Sequence, residues 1–176
     1  MTKTGLIFNP LGGQFRKRSV LIYKALAGMP DVEQVQATSL GEFEQAVRIL
    51  LAKNIKWLIV VGGDGTLQGV INCLFEQLPL AQWPVLSIVP AGTTNMISLD
   101  LGVRGNPEMV LQKISQSLRQ PGEHLTEQQT IKRPVLRIEQ TDVKNVYGML
   151  FGLGMVARGV KFSQSRVKQL GVTGNI

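Results

Sequence analysis

From Gly5 to Val103 the chain alternates short apolar runs with stripes of helical period. Leu6–Phe8 is an apolar run closed by Asn9-Pro10-Leu11-Gly12-Gly13, which predicts a strand followed by a turn. Val20, Leu21, Leu26 and their neighbours fit an amphipathic helix that ends near Gly28. Gln34–Thr38 reads as a second strand. Ser39 and Glu42 make a capping box, and Phe43, Ala46, Val47, Leu50 and Leu51 then recur on one helical face. Trp57–Val61 is a continuous run of β-formers, the pattern of a strand buried on both faces of a parallel sheet. It leads into Gly62-Gly63-Asp64-Gly65-Thr66, after which Leu67, Val70, Ile71, Leu74 and Leu78 restore the helical period. Val85–Val89 predicts a further buried strand, ending in Pro90-Ala91-Gly92-Thr93-Thr94-Asn95. Strands and helices alternating with short links predict an α/β fold, a Rossmann-like parallel sheet flanked by helices.

After Leu101 the pattern changes. Asn106-Pro107 opens a helix with proline at its first position; Val110, Ile114 and Leu118 form its buried stripe, and Pro121-Gly122 stops it. Pro121–Arg133 is polar and charged, as a linker is. Pro134–Gln140 and Asn145–Phe151 flank Thr141-Asp142-Val143-Lys144 and predict a hairpin, and Gly152–Gly159 is glycine-rich. The expected organisation is an α/β domain over residues 1–120, a linker over 121–133, and over 134–176 the start of a β-rich second domain that is incomplete in this chain. An isolated hairpin is marginal in water. This one is expected to pack on the first domain, or to be poorly buried and to associate with another chain, a second copy included.

Composition narrows the chemistry. With 176 residues and a 44% hydrophobic fraction the chain builds a sizeable core. One cysteine, Cys73, excludes an intramolecular disulfide, and with one histidine, His124, it excludes the usual Cys/His zinc cluster. A Ser-His-Asp or Cys-His mechanism would have to use His124, which lies in a polar stretch far from any glycine-rich turn. Cys73 sits beside the buried face of its helix and reads as a small core residue rather than a reactive thiol. No apolar run reaches the about 20 residues of a bilayer helix, and the N-terminus lacks a signal-peptide pattern. The expected location is therefore the cytoplasm, with peripheral contact to a membrane surface. The net charge of +7 favours polyanions. With 6% aromatics and no basic-aromatic stripe, nucleic acid is not an expected partner.

Three turns carry the candidate chemistry: Asn9–Gly13, Gly62–Thr66 and Pro90–Asn95, each at the end of a predicted parallel strand. Such loops meet along one edge of the sheet and form the ligand crevice. Glycines there permit positive φ and close approach of the backbone to a ligand. Successive N–H groups, assisted by the following helix dipole, suit a phosphate, and Thr66, Thr93 and Thr94 add hydroxyls. Asp64 is the one acid in these turns. It serves a metal, a ribose hydroxyl or the proton of an attacking hydroxyl. Purely structural roles stand beside these: Asn95 as a helix cap, Asn9 in an Asx-turn before Pro10, and Arg16, Lys17 and Arg18 as a solvated helix start rather than phosphate ligands.

The order Asn9-Pro10-x-Gly-Gly13, Gly62-Gly63-Asp64-Gly65-Thr66 and Pro90-x-Gly92-Thr93-x-Asn95 resembles the diacylglycerol kinase catalytic-domain family of lipid kinases, which includes sphingosine and ceramide kinases. The resemblance implies an enzyme that phosphorylates a lipid hydroxyl with ATP and Mg2+, this chain carrying the ATP-binding part. It implies a nucleotide-binding set of Asn9, Gly13, Gly62, Gly63, Gly65, Thr66, Gly92, Thr93, Thr94 and Asn95. It implies that Asp64 deprotonates or orients the acceptor hydroxyl, or organises magnesium; it assigns no metal ligands. The chain departs from the family pattern at Gly12, Gly69 and Met96, where Ser, Glu and Asp are common. NAD kinases share Gly-Gly-Asp-Gly-Thr but usually follow the next strand with a different loop, so an NAD-kinase-like phosphotransferase is the second reading. A non-catalytic nucleotide-binding module is the third.

Overall fold

The computed structural model describes residues 3–120 and 130–150. Strand β1 (Thr4–Phe8) is followed by α1 (Gly13–Lys17), α2 (Ser19–Ala27), β2 (Glu33–Gln36), α3 (Leu40–Ala52), β3 (Trp57–Gly62) and α4 (Asp64–Gln77). Then come β4 (Val85–Pro90), α5 (Met96–Asp100), α6 (Pro107–Arg119) and the hairpin β5 (Leu136–Gln140) and β6 (Val143–Gly148). The first four strands form a parallel sheet in the order β2-β1-β3-β4. The α/β parallel sheet flanked by helices is thus present.

Side chains alternate between the two faces of the sheet, and β3 is apolar along its length because both of its faces are covered. Leu6, Ile59, Val61 and Val89 pack on one face with Phe15, Ile22, Leu26 and Leu111, under α2 and α6. Ile7, Leu58 and Val60 pack on the other face with Phe43, Val47, Leu50, Val70 and Leu74, under α3 and α4. Helix α4 lies close to α3 because it has glycine at position 69: a Cβ there would stand 2.9 Å from the Phe43 ring. The departure from glutamate at Gly69 therefore has a packing reason.

Several boundaries differ from the sequence reading. Val20 and Leu21 do not belong to the buried stripe of α2; they are 79% and 48% exposed. Ile22 and Leu26 take that role, beside Phe15 of α1, whose ring stacks on Phe8 (centroids 5.9 Å apart). Strand β2 is Glu33–Gln36 rather than Gln34–Thr38, because Thr38 is drawn into the start of α3. The capping box is altered too. Ser39 accepts from the Glu42 N–H (3.4 Å), but the Glu42 carboxylate accepts from the Thr38 N–H (2.7 Å) and hydroxyl, which holds its pKa below the usual value.

The hairpin turn is Thr141-Asp142, shorter than expected, since Asp142 adopts the left-handed conformation (φ 62°) that Asp tolerates. The first strand starts at Leu136, two residues after Pro134, which has no N–H for a ladder. The hairpin packs on α4. The Asn72 side chain on α4 pairs with both backbone groups of Tyr147 (2.8 Å each), and the Tyr147 ring stacks on Phe75 at 3.8 Å. Gly148 approaches Gln68, so β6 runs toward the N-terminus of α4. Leu136, Val143 and Val146 remain exposed. The expected linker and the glycine-rich stretch lie largely or wholly outside the described residues.

Arg18, at the α1–α2 junction, pairs with the buried Glu108 on α6 (2.5 Å). Arg18→Ala leaves that carboxylate without its cation, and urea unfolding should show a loss of roughly 3 kcal/mol, the low end for a buried pair because Arg18 is 32% exposed. Cys73 is buried between α3 and α4; burial pushes its thiol pKa up, and Glu76 and Glu44 add to the shift. A thiol-specific reagent should label it slowly in the folded protein and rapidly once the chain is unfolded in urea.

Candidate functional site

Because β1, β3 and β4 are parallel neighbours, the three glycine-bearing turns leave the sheet at one edge. The chain leaves β1 over the face that carries α2 and leaves β3 over the opposite face, under α4. The β1–β3 boundary is therefore the topological switch point, the place beyond the strand ends where open α/β sheets generally form their ligand crevice.

The turns are bound to one another. The Asn9 N–H donates to the Val61 carbonyl (2.9 Å), and the Asn9 side-chain amide donates across the crevice to the Thr66 hydroxyl (3.0 Å). The Asn9 side-chain oxygen accepts from the Leu11 N–H (3.0 Å), the Asx-turn foreseen before Pro10. The Ala91 N–H donates to the Gly62 carbonyl (2.9 Å), while the Ala91 carbonyl accepts from the N–H groups of Gln14 (3.1 Å) and Phe15 (3.0 Å) at the start of α1.

The glycines serve this packing. A Cβ on Gly63 would stand 2.9 Å from the Gly92 α-carbon, and one on Gly92 would collide with the Gly63 α-carbon. Neither has positive φ; among the described glycines that conformation belongs to Gly102 and Gly105. The positive φ expected at the glycines of these turns is not found there; in the third turn Asn95 takes it instead. Close approach is required, but between two stretches of protein backbone.

Asn95 is the left-handed residue of the third turn, with φ 54°. Its side chain accepts from the Gly92 N–H (2.8 Å) and donates to the Gly92 carbonyl (3.0 Å), and it makes no cap bond to α5. The cap comes from Asp64. One carboxylate oxygen accepts from the Met96 N–H (3.0 Å) and the other from the Ile97 N–H (2.9 Å). The acid expected to meet a metal, a ribose hydroxyl or an attacking hydroxyl thus has a fourth partner, a helix 32 residues away.

What remains open to a ligand is the first turn of α4. The N–H groups of Gly63, Asp64, Gly65 and Thr66 have no intrahelical acceptor by helix geometry, and among the described residues no side chain caps them. Gly65 is exposed there, and Thr93 and Thr94 are exposed opposite; Thr66 is buried. Gly13 lies against the Thr93 hydroxyl. An anion at this end meets oriented N–H dipoles and the positive end of a helix. Of the three basic residues after the first turn, Arg16 donates to the Leu11 carbonyl (3.2 Å), Arg18 pairs with Glu108, and Lys17 is exposed. A cluster of three or more His, Cys, Asp or Glu that could hold a metal is absent among the described residues.

These turns, in this order on this sheet, are matched by a family model for the diacylglycerol kinase catalytic domain over residues 3–126. The chain belongs to that family. It is similar to the diacylglycerol kinase of Bacillus subtilis strain 168, with 29% identity over 106 residues, covering 58% of this chain and 34% of that protein. It is also similar to solved structures from Bacillus anthracis strain Sterne assigned as diacylglycerol kinases. Two of them show 32% identity and a TM-score of 0.53, covering 65% of this chain and 42% and 39% of theirs. The chain therefore spans well under half the length of the relatives it matches.

Sequence reasoning placed the three turns together but missed the backbone acceptor at Ala91 and the bridge from Asp64 to α5. Neither leaves a trace in residue spacing. A backbone carbonyl has no residue signature, and an acid at a helix start looks the same whether it caps its own helix or another. Asp64→Asn preserves the shape but replaces one acceptor oxygen with an amide donor. Amide exchange at Met96 and Ile97 should accelerate on the order of tenfold, with a loss of about 1 kcal/mol in unfolding free energy, the usual value of a helix cap.

Proposed function

We propose that this chain carries the ATP-binding part of a lipid kinase, with the phosphates of ATP seated at the β1–β3 switch point. The observation that carries the reading is the uncapped first turn of α4 at that point, in a chain of this family. Phosphoryl transfer depends mainly on positioning and on neutralising phosphate charge. The N–H groups of Gly63, Gly65 and Thr66 supply fixed donors, and Gly13, Gly62 and Gly92 keep the turns close enough for those donors to face the Thr93 and Thr94 hydroxyls. Asn9 and Asn95 hold the turns in register.

Asp64 acts in this reading through α5: by anchoring Met96 and Ile97 it sets where Thr93 and Thr94 stand. Magnesium would neutralise charge on the transferring phosphate, but the described residues do not form a site for it. Their single carboxylate at the turns is engaged by α5. The acceptor is a lipid hydroxyl, as in the diacylglycerol kinases to which the chain is similar.

Calorimetry tests the reading. ATP and ADP should bind the folded chain with millimolar to high-micromolar affinity. Gly65→Asp places a carboxylate on the exposed first turn of α4, where it suits the helix dipole but repels phosphate; binding should fall at least tenfold with the fold intact. A folded sample that binds neither nucleotide at millimolar concentration, or a Gly65→Asp variant that binds as well as the parent, would overturn the site. Preferential binding of NAD would favour the NAD-kinase-like reading.

A further inference from the structure

The acids of this chain decide how phosphate charge is met at the crevice. The sequence has 12, of which Glu123 and Glu127 lie outside the described residues. Glu33, Glu44, Glu76, Asp100, Glu108 and Glu139 are each paired with a lysine or arginine. Glu42 is bonded to Thr38 at the start of α3. Asp31 precedes β2, at the amino end of the sheet, and Asp142 sits in the hairpin turn, at the end of β6 away from the crevice. Among the described residues only Asp64 stands at the turns.

Asp64 is the first residue of α4, and its carboxylate accepts from the Met96 N–H (3.0 Å) and the Ile97 N–H (2.9 Å) at the start of α5. Its charge therefore lies against the positive ends of two helices. A divalent cation at those oxygens would face the same dipoles, with no second carboxylate to offset the repulsion. Positions 69 and 96, where the family pattern commonly has acids, hold Gly69, buried against Phe43, and Met96, 53% exposed. Magnesium takes oxygen ligands, usually one or two carboxylates together with phosphate. The donors at this edge are instead N–H groups at the start of α4 and the exposed hydroxyls of Thr93 and Thr94.

We infer that this crevice takes the triphosphate as the metal-free anion, with no cation bridging it to the protein. The inference rests on the nucleotide reading of the crevice. Magnesium held by the phosphates cancels part of their charge. It therefore weakens their attraction to helix dipoles and to a chain of net charge +7. Nucleotide affinity is then highest when magnesium is withheld.

Two measurements on the folded chain test it, the first without nucleotide. Manganese, a paramagnetic stand-in for magnesium, is titrated to millimolar concentration while the amide resonances are followed. The amides of Asp64, Met96 and Ile97 should broaden no more than those of the rest of the chain. Selective broadening at these three overturns the inference whether or not ATP binds. Calorimetry with ATP then compares excess EDTA with excess magnesium. ATP should bind several-fold more tightly in EDTA. Affinity equal or higher in magnesium overturns the inference and leaves the nucleotide site standing. Binding in neither buffer overturns the nucleotide reading and this inference with it.

Discussion

Where the turns after β3 and β4 cross, the α-carbons of Gly63 and Gly92 lie so close that neither position has room for a Cβ. Much of the crevice depends on that contact. It brings the start of α4 beside the start of α5, and only at that separation does the Asp64 carboxylate span the gap to Met96 and Ile97. It also keeps Ala91 under the start of α1, where its carbonyl receives two N–H groups. Adding a methyl group at either glycine would push backbone against backbone, which has no flexible side chain to yield.

Polar groups at this edge divide into two sets. Asn9, Asp64, Asn95 and the Ala91 carbonyl are satisfied by the protein and hold the turns together. The first-turn N–H groups of α4 and the exposed Thr93 and Thr94 lie at the surface of that frame. The side chains of Asn9, Asp64 and Asn95 bond to the protein itself, whereas the first-turn groups of α4 are backbone N–H groups. Preorganised backbone dipoles of this kind stabilise charge without reorganising during a reaction.

Helix α4 links the parts of the molecule. Its N-terminus faces the crevice, Gly69 admits Phe43 from α3, and Asn72 and Phe75 seat Tyr147 of the hairpin. With β6 running back along it toward the turns, structure on the hairpin is registered to the crevice through one rigid element. The opposite face of the sheet, under α2 and α6, is held by Arg18 and Glu108. It leaves Val20 and Leu21, in the first turn of α2, exposed.

The amino-acid sequence alone determined the alternation of strands and helices, the parallel sheet and the grouping of the three turns, because period, burial and chain direction follow from local pattern. Trp57–Val61 could only be a buried strand, and turns after adjacent parallel strands share an edge. Tertiary structure decided the rest. Val20 and Leu21 lie in an apolar run with Ile22, and a helix so composed has more than one face to bury; packing against the sheet and α6 takes Ile22 and Leu26. The partner of Asp64 is 32 residues away along the chain, and hydrogen bonds over that separation exist only once the sheet has set the spacing of β3 and β4. The glycines of the turns were visible as glycines, but that they make room for each other was not, since the space a side chain would fill is defined by the neighbouring turn and not by the residue itself.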